Sequence, residues 1–305
     1  MKMYEIPVVA PYRLDLTVSV LRRLSTNIID LLTPEGQYVR ALAGSPEPVI
    51  VRVMQNRQNS LSAVIEGDTN NQAELRGLVR EMLGCDHDLV DFEHSAAAIP
   101  WLAPLVQRMQ GVKPPRYPTL WEACVNAIVF QQLSLQAAVA IMRRLTVALG
   151  QSVKVDAIPV PLYVFPAVES FLPATEDLLR ETGLSASKIA TLRRVAEALT
   201  SGRIDTAKLE QCKSLNAAAI LCQIKGIGPW TAAVILLRGL GRLDVFPAND
   251  TSVASNIALV SGTAPYDAKR VLDTLGQQRG MLYFYLLLAR LESRSEIGRA
   301  SFERP

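Results

Sequence analysis

The stretch "CQIKGIGPWTAAVILL", residues 222–237, sets Gly226 and Gly228 two positions apart, ahead of an apolar run led by Trp230. Glycine permits positive φ and close backbone approach, and Pro229 suits the first position of a helix, so the pattern predicts helix, hairpin, helix. Amides at the start of the second helix carry the positive end of its dipole and form an anion site suited to a phosphate. Hairpin carbonyls facing the other way have the chemistry to hold a monovalent cation. Lys225 adds charge beside the turn, and the Thr231 hydroxyl is a donor for a phosphate oxygen. Two readings stay open on these residues: a bare structural turn between packed helices, or a backbone surface for a negatively charged partner.

Downstream, "RGLGRLDVFPANDTSVASNIALV" runs through a Gly/Pro loop into a new helix that begins near Thr251, with Asp250 at its N-cap. Asp250 as a plain cap would contribute about 1 kcal/mol. The same placement keeps the carboxylate ionised and able to face a cation forming in a transition state. Cleavage of an N-glycosidic bond makes such a cation, because C1′ of the sugar becomes oxocarbenium-like as the base departs. Asp244 is the rival carboxylate and lacks the helix-start position. The only histidines, His87 and His94, lie in the N-terminal half. Cys85, Cys124, Cys212 and Cys222 contain no CxxC pair, which argues against a zinc ribbon or a cysteine-ligated iron–sulfur cluster and fits a reducing, intracellular compartment.

The elements that must carry these residues follow from the pattern. With 305 residues, 49% hydrophobic and 20% charged, the chain has globular composition and length for one large domain or two ordinary ones. A net charge of +3 permits a polyanionic partner without demanding one. The run "MLYFYLLLA" at 281–289 falls short of the roughly 20 residues that span a membrane, and "MKMYEIPVVAPYRLD" lacks a signal-peptide core. Up to about residue 66, "LDLTVSVL", "QYVRAL", "PVIVRVMQ" and "SLSAVIEG" read as strands of a small antiparallel sheet. A helix over "NNQAELRGLVREML" follows an Asn cap, giving an α+β N-terminal unit over 1–105. Residues 106–305 read as almost all helix, with a break near Ser134, a Thr119 cap with Glu122 three residues on, a Gly183 turn, and a last helical pattern from about 265 to 294.

The segments "LWEACVNAIVFQQLSLQAAVAIMRRL", "VFPAVESFL", "GLSASKIATLRRVAEAL", "IKGIGPWTA" and "DVFPAND" resemble, in order, those of the helix-hairpin-helix superfamily of DNA glycosylases. The closest resemblance is to the alkylation-repair branch, 3-methyladenine DNA glycosylase II. It covers about residues 118–292 well and the N-terminal unit, the family's accessory domain, loosely. The resemblance implies Asp250 as catalytic aspartate and Gly226, Ile227 and Gly228 as the hairpin that grips the DNA backbone, with Lys225 and Thr231 beside it. Trp230 matches the pocket tryptophan and occupies the position where strand-cleaving relatives carry a Schiff-base lysine, which implies a monofunctional enzyme. In the "FQQLS" turn, Gln132 aligns with the side chain that fills the gap left by an extruded base, flanked by Gln131 and Leu133. Two pocket positions depart from the family: Val234 stands where relatives have tyrosine, and Gln278 aligns near a second tryptophan. The cleft is then less aromatic than the family's unless Tyr283 or Tyr285 turns inward; the alternative for each is core packing, since "MLYFYLLLAR" reads as a buried helix face. By the same resemblance, the backbone carbonyls of Cys222, Ile224 and Gly226 hold Na⁺ or K⁺, and no iron–sulfur cluster is present.

The implied function is excision of alkylated purines of the 3-methyladenine type from DNA by base flipping and N-glycosidic hydrolysis, in base excision repair. The alternatives are a glycosylase for oxidised or deaminated bases, and a non-catalytic helix-hairpin-helix DNA-binding protein. The expected partner is double-stranded DNA containing damaged bases, bound by a monomer with no membrane association. The expected location is the cytoplasm at the nucleoid, or the nucleus in a eukaryote.

Overall fold

Three of the four runs expected as strands in the first 66 residues, "QYVRAL", "PVIVRVMQ" and "SLSAVIEG", make strands, and two further strands, at residues 2–7 and 30–32, lie outside those runs. A computed structural model of the chain describes residues 2–45, 47–57, 59–67, 71–248, 251–262 and 266–302. Strands β1 (Lys2–Pro7), β2 (Asp30–Leu32), β3 (Tyr38–Leu42), β4 (Val49–Arg57) and β5 (Ser60–Glu66) form one antiparallel sheet in the order β1-β5-β4-β3-β2. In register, β5 sets Ala63 between Tyr4 of β1 and Val53 of β4. Along β5, Leu61, Ala63 and Ile65 are buried and their neighbours half-buried, the period-2 pattern of a sheet with one covered face.

The run "LDLTVSVL", expected as a strand, is instead helix α1 (Leu14–Arg22). Eight of its residues, from Leu14 through Arg22 with only Asp15 excepted, are buried. The run alternates apolar residues with Asp15, Thr17 and Ser19, a period-2 pattern that reads as a strand; in the helix the Thr17 and Ser19 hydroxyls donate to the Arg13 and Asp15 carbonyls. Helix α2 (Gln72–Met82) starts where expected, with the Asn71 side chain accepting from Glu74 N. Together α1 and α2 cover one face of the sheet through Leu14, Val18, Leu21, Val79 and Met82, packed on Ile6, Val51, Val53 and Leu61.

Helices α3 (Val90–Ala97) and α4 (Ala103–Arg108) follow, then α5 (Leu120–Val129), capped by Thr119, and α6 (Leu135–Leu149), capped by Ser134. The short pair β6 (Ser152–Val153) and β7 (Leu162–Tyr163) lays Leu162 on the far face of the sheet, against Leu31, Val39 and Ala41. After α7 (Val168–Phe171) and α8 (Glu176–Glu181), the Gly183 turn at φ +95° leads to α9 (Ala186–Thr200), capped by Ser185. Then come α10 (Thr206–Gln211), α11 (Ser214–Cys222), α12 (Pro229–Gly239), α13 (Thr251–Ser261), α14 (Ala268–Leu275) and α15 (Met281–Glu292).

These helices sort into two cores. One joins α5, α6, α9, α11 and α12 through residues such as Ile128, Met142, Leu192, Leu221 and Ile235. The other joins α3 and α4 to α13, α14 and α15, with Leu16 and Val20 of α1. The boundary expected at residue 105 runs through this second core, where Leu102, Leu105, Val106 and Met109 share one cluster with Ile257, Phe284 and Leu288. Beyond α15 the chain returns to α1: Gly298 N donates to Ser19 Oγ (3.0 Å), Arg22 Nη1 to Ser301 Oγ (3.1 Å) and Ser301 N to the Leu32 carbonyl (2.8 Å).

Candidate active site

Between the two helical cores opens a cleft of about 1090 Å³, above the roughly 300–1,000 Å³ of ordinary small-molecule pockets. From the first core its wall takes the end of α5 (Asn126, Phe130), the loop Gln131–Leu133, Gly226 and Gly228 of the hairpin, and Trp230, Thr231 and Val234 of α12. From the second it takes Val253, Ser255 and Asn256 of α13 with Tyr283, Leu287 and Arg290 of α15, and Arg294 just beyond.

The hairpin forms because α11 ends at Cys222 and Pro229 opens α12, the asymmetry its sequence encodes. The two glycines are bare for different reasons. Gly226 has φ +105°, and a Cβ there would stand 2.0 Å from Thr191 Oγ1, so packing alone demands glycine. Gly228, the N-cap of α12, has φ −95°, and a Cβ there would meet nothing within 4 Å. Of the two, only Gly228 leaves a bare backbone facing open space at the start of a helix, the arrangement that receives an anion. Lys225 is exposed, and its carbonyl accepts from Arg194 Nη1 at 3.3 Å.

Thr231 does not present its hydroxyl as expected. It is buried, and its Oγ1 accepts from Gln131 Nε2 at 2.6 Å. The same Gln131 nitrogen reaches the Gly226 carbonyl at 3.2 Å, so Gln131 ties the α5–α6 loop to the hairpin. Next to it, Gln132 is exposed at φ +55°, a conformation rare outside glycine, and Leu133 is 38% exposed. Both side chains stand at the cleft's rim.

The aromatic surface divides as well. Half-buried Trp230 and Tyr283 line the cleft, with Val234 behind them. Tyr285 turns to the core and stacks on Phe92, ring centroids 5.2 Å apart. Trp121, in the first turn of α5, is buried and donates its Nε1 to the Pro166 carbonyl. Gln278 is a correction: it ends the turn after α14, outside the cleft wall, and its Nε2 donates to the Asp88 carbonyl at 2.9 Å. Position in a motif fixed where Gln278 lies along the chain but not which way the turn aims it.

Asp250, expected as the catalytic carboxylate, lies outside the described residues. The helix it precedes, α13, contributes Val253, Ser255 and Asn256 to the cleft. The rival Asp244 is outside the cleft wall and accepts from Ser214 Oγ at 2.8 Å, a tie at the start of α11.

Sequence reasoning missed the cleft's polar wall. Arg23, in left-handed backbone at φ +65° and 4% exposed, lays its guanidinium 3.5 Å from the Phe130 ring centre. Arg290 is aimed by Asn256 (2.8 Å) and Ser255 (2.6 Å). Asn126 is fixed by Tyr117 OH and the Glu122 carbonyl. An Asn inside the apolar run of α5 was a signal open to reading; Arg23 comes from a distant segment and gave none. Arg23, Arg290 and Arg294 line the cleft with no carboxylate among its described lining residues.

Among the described residues, no group of His, Cys, Asp or Glu could hold a metal ion. In the hairpin, the Ile224 carbonyl accepts from Ile227 N (2.9 Å) and that of Gly226 from Gln131. A carbonyl has two lone pairs, so each of these can accept its hydrogen bond and still face a cation.

Residues 125–277 match the model of the HhH-GPD superfamily base excision DNA repair proteins, and the chain belongs to that superfamily. It is similar to a DNA-3-methyladenine glycosylase of Bacillus subtilis (strain 168), 26% identical over 240 residues that cover 78% of this chain and 76% of that one. Over 134 residues it is 35% identical to DNA-3-methyladenine glycosylase 1 of Schizosaccharomyces pombe, covering 44% of this chain and 54% of that protein. Its fold is that of the 3-methyladenine DNA glycosylase of Archaeoglobus fulgidus, with TM-score 0.79 and 23% identity over 95% of this chain and 99% of the other. Among the described residues, no helix is long and apolar enough to cross a membrane.

Proposed function

We propose that this protein is a monofunctional DNA glycosylase that draws alkylated purines of the 3-methyladenine type out of double-stranded DNA and hydrolyses their N-glycosidic bond in base excision repair. The observation that carries this reading is the placement of Trp230, in a cleft wall between a protruding loop and a helix-hairpin-helix backbone surface. Membership of a base excision repair superfamily and relatives named DNA-3-methyladenine glycosylases support it.

An enzyme that works on a base must take it out of the stack. The open amides at Gly228 and the positive charge of Lys225 would hold a phosphate, while Gln132 or Leu133 fills the space the base vacates. Trp230 and Tyr283 offer π faces to the extruded base, and a cationic alkylpurine is an electron-poor partner for them. The C1′–N bond then breaks with its electron pair leaving on the base. Asp250 stabilises the cationic sugar, water oxygen bonds to C1′, and the water's proton passes to the departing base or solvent. A purine already carrying positive charge leaves as a neutral base, so little general acid is needed. Trp230 has no amine with which to form a Schiff base, so the strand stays intact.

The test is Asp250→Asn. It should lower release of alkylated base from duplex DNA by about 10³-fold, the scale of losing one transition-state charge partner, with DNA binding retained. Full release by the variant would sink the mechanism. Borohydride should trap no covalent protein–DNA adduct.

A second reading has its own support. Three arginines in the wall suit a neutral base with carbonyl acceptors, such as a deaminated or oxidised one. A panel of single lesions in duplex DNA, scored for base release, separates the two. The protein would act as a monomer, and its substrate would place it at the nucleoid or in the nucleus.

A further inference from the structure

The loop over residues 130–134 and the hairpin over 223–228 rest on one helix, α9. Lys188 Nζ donates to the carbonyls of Val129 (2.6 Å) and Gln131 (2.8 Å), capping the negative end of α5 where the loop begins. One turn on, Thr191 packs against Gly226, leaving no room for a side chain there, and its own hydroxyl is fixed by donating to the Ser187 carbonyl at 2.9 Å. One turn further, Arg194 Nη1 donates to the Lys225 carbonyl. Positions 188, 191 and 194 follow a single stripe of α9, about 9 Å long at the rise of a helix. Gln131 closes the frame from the other side, bonded to the Gly226 carbonyl and to Thr231.

We infer that α9 is a gauge that sets the separation of the loop and the hairpin, and that Lys188 and Gln131 are positioning residues which hold the loop ready to enter a duplex. The inference rests on the proposed reading, since a protruding loop needs such control only in a protein that opens DNA. Gln132 adjoins both anchors and keeps its left-handed backbone, a conformation that persists where the surroundings over-determine it. Lys188 makes no ion pair among the described residues; its two acceptors are the carbonyls at the end of α5. Burial lowers its pKa from the ordinary lysine value, so the site holds a cation against its own desolvation, a cost with no counterpart at a surface cap.

The experiment uses the full chain bound to a duplex carrying 2-aminopurine beside an abasic site, where loop entry unstacks the fluorophore and no chemistry is needed. Lys188→Met should lower the fluorescence gain, and should lower kcat for base release from duplex about tenfold, the scale of a lost charge-assisted hydrogen bond. KM should move far less. Lys188→Arg should restore most of both signals. The deficit should shrink when the lesion sits in an unpaired bulge, already outside the stack; a merely structural role would depress both substrates alike. Should Lys188→Met fail to fold, Gln131→Ala, which leaves α9 intact, carries the same expectation. Wild-type fluorescence gain and an unchanged duplex-to-bulge ratio in the folded variant overturn the inference. A wild type that raises fluorescence yet releases no base overturns the glycosylase reading and leaves the gauge standing.

Discussion

At the seam between the sheet and the helices, Arg40 gives one terminal nitrogen to Asp30 (2.8 Å) and the other to Glu122 (2.6 Å), and Tyr38 OH donates to Asp30. The three charged side chains are only 1–3% exposed. Arg40 Nε, like one terminal nitrogen each of Arg23 and Arg294 at the cleft, is buried with no hydrogen-bond acceptor among the described residues, but two carboxylates answer the Arg40 charge and none is among the cleft's described lining residues. An unmade hydrogen bond of this kind costs about 1–3 kcal/mol. The seam answers its charges from within the chain; the cleft holds positive charge that a polyanion would answer. Burial therefore has opposite meanings in the two places, closure in one and readiness in the other.

Three experiments bear on that contrast. Arg40→Met strands Asp30 and Glu122 without their cation and should cost about 3–5 kcal/mol of stability by denaturant melting, with base release per folded molecule unchanged. The loss should be smallest in acid: burial already pushes the Glu122 carboxyl up from its ordinary value, and without Arg40 that carboxyl takes a proton more readily. A variant as stable as the wild type would mean that the seam does not depend on its charges.

The hairpin glycines sharpen the comparison inside one loop. Gly226→Ala meets Thr191 and a positive φ, and should lose about 1–3 kcal/mol of stability. Gly228→Ala should leave the melting temperature within a degree or two yet weaken DNA binding in a salt-dependent titration, because its Cβ enters the space a phosphate would take. Equal effects on stability would erase the distinction between a structural and a ligand-facing glycine.

The smallest effect concerns His87, whose pKa is lowered by burial and then by Lys113, both favouring the neutral ring in the fold. The unfolded chain takes up a proton first as pH falls through about 6.5, so stability present above that pH declines below it and levels off once the folded ring is also charged. His87→Gln should flatten the melting temperature between neutral and mildly acid pH. A slope equal to the wild type's would assign that pH dependence to other groups.

Much of this was legible in the chain because local chemistry decided it. Asn71, Thr119, Ser134 and Ser185 cap helices as their side chains allow, and the Gly226–Pro229 turn falls where its residues put it. Helix α1 was not, because Asp15, Thr17 and Ser19 alternate with apolar residues in the period of a strand. Of the site, Trp230, Tyr283 and the Gln131–Leu133 loop reach the cleft, whereas Gln278 turns elsewhere and the Thr231 oxygen in the wall is taken by Gln131. A motif gives the order of positions along the chain; packing decides which side chains share a space. Arg23 shows the limit most plainly, since its neighbour Phe130 lies in another element.

The return of the chain onto α1 has a consequence for how the molecule comes to exist. Ser19 waits for a partner 279 positions downstream, and α1 is sheathed by α15 as well as by the sheet. During synthesis α1 meets the sheet early through Leu14, Val18 and Leu21, while Leu16 and Val20 wait for α15. Contacts that distant slow folding and lengthen the exposure of such surfaces to other chains. A fragment ending before α13 would own a complete hairpin and leave Leu16 and Val20 uncovered, so it should touch DNA and clump.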